Sequence, residues 1–426
     1  MKGTFDALLS RPVRARRSIS PPARARLLWQ ACFPDPPSYL VIKVAGTNGK
    51  GSVCAMLASC LAADGFPTGV FTGPHLSSVT ERIRIAEREV SDDALESAAR
   101  AIAAAIDRVV SEHGEDYAPT YFEALLLVAL EVFRAAGVRA VILEAGIGGS
   151  YDAVSGIPGA LGIVTSIGLD HVEMLGPNEA AIATDKAGIA DADSTLVVSA
   201  TVAGEAESAI ETVSRGRGVR IARPRPNRVH AVKFGFGGTD VEVAWGSLTR
   251  RLTLTLGGRY QIANLETTLA ALDVVAEVMP ITVRALDGLE RVTWAARFES
   301  FPGSPAWLLD GAHNAQGIDA LVSSLDDVLP YAERVLLCGM SVGHESDVLA
   351  ARLRTIAPVR FVADGFYQSA DGARVASRVG ASVEYLGPAD SAVQTLRSRF
   401  GASNRTIVVT GSLYLAGDVR SILAAA

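Results

Sequence analysis

The residues Val44-Ala45-Gly46-Thr47-Asn48-Gly49-Lys50-Gly51-Ser52 carry the clearest chemistry in the chain. Glycines let backbone N–H groups turn inward around phosphate oxygens, a following helix adds its positive end, and a lysine can reach the β and γ phosphates. The spacing departs from the common G-x-x-x-x-G-K-[ST] form: Val44 stands where the first glycine would be and Gly51 where the hydroxyl residue would be. A second group is the apolar run Ala140-Val141-Ile142-Leu143 that ends in Glu144 and continues into Ala145-Gly146-Ile147-Gly148-Gly149. A carboxylate at the C-terminal end of a buried parallel strand, beside a phosphate loop, is placed to hold a hydrated Mg²⁺. Acidic residues also end strands that bind nothing. Asp170-His171 and Asp185-Lys186 form a third group; a lone histidine after a strand is more often a hydrogen-bonded structural residue than a ligand, and the lysine is open to both readings.

These residues need elements to position them. From Tyr39 onward, short apolar runs alternate with helical periodicity, the pattern of a parallel sheet wrapped by helices. Strands are predicted over Tyr39–Val44, Ala140–Leu143, Gly162–Ile167 and Thr195–Ser199, and Val53, Met56, Leu57, Cys60 and Leu61 define one face of a helix starting near Ser52. Residues from about Val229 to Tyr260 alternate Val, Thr and Gly and predict antiparallel hairpins, followed by a helix carrying Leu265, Leu269 and Leu272. A second cycle begins near Phe301: strand Ala306–Leu309, a helix with Ile318, Leu321, Val322 and Leu325, then strand Arg334–Leu337. The expectation is therefore α/β: a P-loop parallel-sheet domain over 39–296, a smaller Rossmann-like α/β domain over 297–426, and a solvated helical lead-in over 1–38. That lead-in contains Arg11, Arg14, Arg16, Arg17, Arg24 and Arg26 among prolines.

Composition narrows the function classes. With 426 residues, 49% apolar and 20% charged, the chain has ample core for two or three domains. A net charge of −6 gives no footprint for nucleic acid. The apolar stretches, such as Ala124 to Leu130, fall far short of the roughly 20 residues a spanning helix needs. Cys32, Cys54, Cys60 and Cys338 show neither zinc pairing nor a disulfide framework, so a cytoplasmic protein with no membrane partner is expected. The 40 basic residues include only five lysines, Lys2, Lys43, Lys50, Lys186 and Lys233, and two of these lie in the groups above.

Taken together, the motifs place the chain in a family context. Val44–Ser52, Pro74-His75-Leu76, Glu81-Arg82-Ile83, Phe122-Glu123, Glu144–Gly149, Asp170-His171, Asp185–Ile189, Gln261 with Asn264, Asp310-Gly311-Ala312-His313-Asn314 and Gly411-Ser412-Leu413-Tyr414 follow in order. The chain resembles the folylpolyglutamate synthase/dihydrofolate synthase family of the Mur ligase superfamily. The resemblance implies a Mur-ligase central domain and an ATP-dependent, Mg²⁺-requiring ligase that activates a small carboxylic acid as an acyl phosphate and joins it to an amine or amino acid. It implies that Gly46, Thr47, Asn48, Gly49, Lys50, Gly51 and Ser52 cradle ATP, with Gln261, Asn264, Arg297, Asp310 and His313 also on the nucleotide. Glu144, His171 and Ser52 would hold metal, joined by Lys186 as a carbamate, and Lys50, Lys186 and His171 would be the catalytic set. His75, Arg82, Thr120, Phe122, Asp152 and Ala153 would face the acid substrate. Such ligases imply closure about a hinge, here near Val292–Phe301, and a monomer is expected.

The departures from the family pattern are uneven. Gly73 replaces a serine before Pro-His-Leu, Ser150-Tyr151-Asp152-Ala153-Val154-Ser155 replaces Arg-Leu-Asp-Ala-Thr-Asn, Trp294-Ala295-Ala296-Arg297 replaces Trp-Pro-Gly-Arg, and Gly343-His344-Glu345 replaces Asp-Lys-Asp. Nucleotide-side residues are kept and acceptor-side residues are altered. That asymmetry leads to the expectation of a paralogue acting on a different acid, with a housekeeping folate enzyme that adds L-glutamate as the alternative and an ATP-binding pseudoenzyme as a third reading.

Overall fold

The computed structural model describes residues 3–11 and 18–425. Arg14, Arg16 and Arg17 of the arginine-rich lead-in lie outside the described residues. The chain divides into two compact units, Met1–Arg228 with Ala263–Leu289, and Val229–Ile262 with Glu290–Ala426.

The first unit is built on an eight-stranded sheet. Its strands are β1 (Leu40–Ala45), β2 (Thr68–Phe71), β3 (Ile83–Ile85), β4 (Arg88–Glu89), β5 (Ala140–Glu144), β6 (Leu161–Val164), β7 (Thr195–Val198) and β8 (Arg220–Ala222). They are ordered β4-β3-β2-β5-β1-β6-β7-β8, and every pairing from β2 to β8 is parallel. The central strands read as near-continuous apolar runs because helices cover both faces; the exception is the buried Lys43 of β1, which pairs with Asp191 at 2.8 Å. Register places Val44 of β1 opposite Glu144 of β5, so the start of the phosphate loop and the expected metal carboxylate leave the sheet side by side. The predicted strands hold to within a few residues. The largest difference is β6, which ends at Val164 rather than Ile167, because Thr165 and Ser166 turn their hydroxyls onto the main chain of Asn48.

The helix Lys50–Ala63 begins at Lys50 itself, after Gly49 in a left-handed conformation (φ +88°). Residues Gly51 to Leu61 are all buried, which their small or apolar side chains allow on every face.

The N-terminal segment is not a solvated lead-in. Helices Thr4–Leu9 and Pro21–Cys32 insert Leu8 and Leu28 into the first unit's core, and Phe33, just past the second helix, joins them. Glu96 accepts the amides of Thr4 and Phe5 at 3.0 and 2.9 Å. Arg24, 2% exposed, forms a two-pronged pair with the buried Glu123 at 2.9 and 2.7 Å, and a Cβ on Gly156 would sit 2.3 Å from the carbonyl of Pro22. A paired, hydrogen-bonded arginine tolerates burial that a lone one would not.

The second unit contains a three-stranded antiparallel sheet, β9 (Val229–Gly235), β10 (Gly238–Trp245) and β11 (Leu248–Leu254), as the alternation predicts. Its six-stranded sheet comprises β12 (Glu299–Phe301), β13 (Ala306–Leu309), β14 (Arg334–Cys338), β15 (Val359–Asp364), β16 (Glu384–Pro388) and β17 (Thr406–Thr410), ordered β12-β13-β17-β14-β15-β16 and parallel except at β12. A division at 296/297 assigns the hairpins to the other domain, and the packing explains why they belong here. Tyr260 and Phe236 pack on the core around Phe298 and Leu308, Ser300 donates to the Phe236 carbonyl, and Arg259 pairs with Asp327.

Candidate active site

The phosphate loop is fixed in place by neighbouring strand ends. Thr47 N donates to the Ser166 carbonyl (2.9 Å), the Thr47 hydroxyl bridges the carbonyl and amide of Gly168, and Ser166 Oγ receives the amide of Asn48 (2.9 Å). Thr165 Oγ1 donates to the Asn48 carbonyl at 2.6 Å. The approach is so close that a Cβ on Gly46 would lie 2.0 Å from that hydroxyl. Gly49 is required twice over, by its positive φ and by the Asn264 amide, whose oxygen would be 2.4 Å from a Cβ there. Asn264 thus meets the phosphate loop itself. Sequence reasoning missed Thr165 and Ser166; their signal is a pair of hydroxyl residues closing an apolar strand.

Two lysines converge on one carbonyl. Lys50 Nζ donates to Gly46 O (3.0 Å) and Thr47 O (3.2 Å), and Lys186 Nζ donates to the same Gly46 O at 3.0 Å. Lys186 is 4% exposed. Burial, and then the Lys50 ammonium beside it, lower its pKa from 10.5 to about 7, against smaller opposing effects of Asp185, Asp170 and Asp152.

Glu144 is buried at the end of β5, where its Oε2 accepts the amide of Gly73 at 3.2 Å. Ser52 is buried on the first turn of the loop's helix. His171 takes a left-handed conformation (φ +49°) before the short helix Val172–Leu175, and its Nε2 lies 3.9 Å from Asp170 Oδ1. Among the described residues no three His, Cys, Asp or Glu side chains gather into a metal cage. The donor chemistry fits instead a hard, largely hydrated cation held by one carboxylate and by a nucleotide's own oxygens.

On the side assigned to the acid, His75 Nδ1 accepts Arg82 Nε at 2.9 Å, and the Arg82 guanidinium lies 5.7 Å from the Tyr121 ring centroid. Burial and the Arg82 charge hold the His75 pKa below its usual value. Phe122 packs on Phe71, with centroids 5.4 Å apart, and approaches Gly146. Two expected substrate residues face the chain's own backbone. Asp152 Oδ2 accepts the amides of Gly146 (2.8 Å) and Ile147 (3.1 Å) while its Oδ1 accepts that of Val154, fixing the loop after β5 and leaving Ala153 buried behind it. Burial raises the Asp152 pKa to about 6 against those three donors. Thr120 and Glu123 form a reciprocal cap at the start of helix Tyr121–Ala135.

Within the second unit, Asp310 is likewise occupied locally. Its Oδ2 accepts Tyr260 OH (2.6 Å) and Phe298 N (3.0 Å), and its Oδ1 accepts Ala312 N (2.9 Å), so it braces a turn rather than presenting a free carboxylate. Arg297 lies over Gly311, Gln261 is fully buried, and His313 meets His344 edge to face with ring centroids 5.8 Å apart.

The Mur ligase middle-domain model matches residues 44–272, from the phosphate loop through the Asn264 helix. The Escherichia coli dihydrofolate synthase/folylpolyglutamate synthase is 32% identical over 397 residues, covering 91% of this chain and 87% of that protein. The chain belongs to the folylpolyglutamate synthase/dihydrofolate synthase family of the Mur ligase superfamily. Members of this family are ATP-dependent ligases that form amide bonds, and the chain is a C–N ligase of that type. A probable bifunctional folylpolyglutamate synthase/dihydropteroate synthase of Haloferax volcanii is 30% identical over 393 residues, and the chain spans 46% of that longer protein's length. Among solved structures, Escherichia coli FolC in complex with DHPP and ADP superposes with TM-score 0.83 at 27% identity, covering 100% of this chain and 98% of that one. The Mycobacterium tuberculosis folylpolyglutamate synthase complexed with ADP and AMPPCP gives 0.85 at 26% identity, over 94% and 95%. No helix among the described residues is long and apolar enough to cross a membrane.

Proposed function

We propose that this protein is an ATP-dependent dihydrofolate or folylpolyglutamate synthase that joins L-glutamate to the carboxylate of a folate-type acid. The observation that carries this reading is the identity of 32% sustained over nine-tenths of the chain and most of the Escherichia coli enzyme. The expectation of a different acid rested on four departures, at Gly73, Ser150–Ser155, Trp294–Arg297 and Gly343–Glu345, and the support from the one after β5 is weakened by what two of its residues do. Ser150 Oγ donates to the Asp185 carbonyl and Ser155 Oγ to that of Gly149, so these two altered side chains stitch the loop together.

The chemistry proceeds in two steps. A carboxylate oxygen attacks the γ phosphorus and the bond to ADP breaks, giving an acyl phosphate; the glutamate amine then attacks the acyl carbon, phosphate leaves with the C–O electron pair, and the nitrogen loses a proton. The first step brings anions together, so the site must supply positive charge and positioning. Lys50 exchanges the loop carbonyls it now holds for β and γ phosphate oxygens, while the backbone amides of Gly49, Lys50 and Gly51 at the helix N-terminus face them; those of Thr47 and Asn48 are held by Ser166. Glu144, His171 and Ser52 are the groups that would hold Mg²⁺, whose charge offsets that of the phosphates. Lys186, near half neutral at pH 7, is suited to react with CO₂ and to present a carbamate to the same region. The test is incubation of the purified protein with ATP, Mg²⁺, L-glutamate and dihydropteroate or tetrahydrofolate. A glutamylated product formed with stoichiometric ADP supports the reading. ATP binding without ADP release under any acid and amine pair would favour a pseudoenzyme.

A further inference from the structure

Arg82 has an unfinished set of contacts. Its Nε is committed to His75 and its guanidinium plane lies near Tyr121, yet neither terminal nitrogen has a hydrogen-bond or ion-pair partner among the described residues. Two neighbouring carboxylates are occupied: Glu81 accepts the amides of Leu76, Ser77 and Ser78, and Glu89 takes Thr80 and Arg84. Gly73 explains where the fork sits. A Cβ at that position would lie 3.1 Å from Arg82 Nη1 and 3.6 Å from Cζ, so the absence of a side chain leaves the guanidinium the space it fills. The same Gly73 donates its amide to Glu144 Oε2, and Glu144 pairs in register with the residue that opens the phosphate loop. His75 and Tyr121 hold the arginine, and its Nη1 stands beside Gly73, the residue whose amide meets Glu144.

A planar fork with two free N–H pairs matches a carboxylate or a phosphoryl group bidentately, and it is costly to immobilise without such a partner. We propose that Arg82, seated in the gap left by Gly73, is the clamp that receives the oxyanion of the acid being activated, first its carboxylate and then the acyl phosphate made from it. This rests on the ligase reading above. It makes Gly73 a position that determines acid binding through the room it leaves, and Arg82 a binding residue rather than a brace for the loop after β2.

Two probes test it: steady-state kinetics with dihydropteroate, ATP and L-glutamate, and calorimetric titration of inorganic phosphate into the ADP- and Mg²⁺-loaded protein. Arg82→Gln is expected to raise the KM for dihydropteroate and the Kd for phosphate about tenfold each, with the KM for ATP within about twofold. Arg82→Lys, which keeps the charge without the fork, should fall between. Gly73→Ala, which crowds Nη1 by a few tenths of an ångström, should raise the same two constants about threefold with an unchanged melting temperature. Phosphate binding unchanged in Arg82→Gln, or equal rises in the KM of both substrates, would overturn the clamp. If the wild-type protein turns over neither dihydropteroate nor tetrahydrofolate, the folate reading fails by itself, and the phosphate titration alone decides the role of Arg82.

Discussion

Lys186 is expected to be a CO₂-reactive lysine whose modification switches on across neutral pH. Its pKa falls from 10.5 to about 7, first through burial and then through the Lys50 ammonium on the same Gly46 carbonyl. That shift favours the neutral amine by about 5 kcal/mol relative to a solvated lysine. At pH 7 about half of the side chains are neutral, compared with roughly one in three thousand for an ordinary lysine. Since only the neutral amine attacks CO₂, the reactive fraction should rise from about a tenth at pH 6 to about nine-tenths at pH 8. The sign for stability agrees: the unfolded chain keeps a proton up to pH 10.5 that the folded one releases near 7, so the cost of burying this lysine is full below pH 7 and fades as pH rises toward 10.5. The assay is carbon-13 NMR of protein equilibrated with labelled bicarbonate, read as a carbamate carbonyl signal that grows from pH 6 to pH 8 and is lost in Lys186→Ala. Lys50→Ala removes the second cause and should move the midpoint upward. A signal absent at pH 8, or one with a midpoint near 10, would refute the reasoning.

Other expectations follow from named contacts. Arg24→Ala leaves the buried Glu123 carboxylate without its cation and should destabilise the first unit by about 3–5 kcal/mol in urea denaturation, whereas Arg24→Met with Glu123→Leu should recover most of that loss. Gly46→Ala drives a methyl against Thr165 Oγ1 and should weaken ATP binding by about tenfold or more in a fluorescent-nucleotide titration. Lys50→Ala should abolish turnover while leaving the thermal transition intact, because the side chain touches only loop carbonyls. Asp152→Ala orphans three backbone amides and should lower stability by about 1–3 kcal/mol in thermal unfolding.

What could be read from the sequence was local. The phosphate loop, the apolar strands on either side of it and the amphipathic helices each declare themselves within ten or fifteen residues, and the structure has them close to their expected bounds. What escaped depends on partners far along the chain. Residues 229–254 alternate like any hairpin, and only their packing near Phe298 and Leu308 decides which unit owns them. The arginines before residue 38 look solvated until Arg24 meets Glu123, 99 positions on. Site carboxylates were the hardest: Asp152 and Asp310 have the residue type of ligand-binding groups, but residue type does not say whether an oxygen faces a substrate or a backbone amide. Of the altered acceptor-side residues, Ser150 and Ser155 carry less weight for the same reason, since they bind the loop that carries them.

The most direct test of the account is a single reaction: purified protein with ATP, Mg²⁺, labelled L-glutamate and dihydropteroate, analysed by mass spectrometry for product and by coupled assay for ADP. The account predicts dihydropteroate bearing one added glutamyl group, one ADP per bond formed, and neither in the Lys50→Ala protein. ADP release at the same rate without any acid, or condensation with another acid but not with dihydropteroate or tetrahydrofolate, would contradict it.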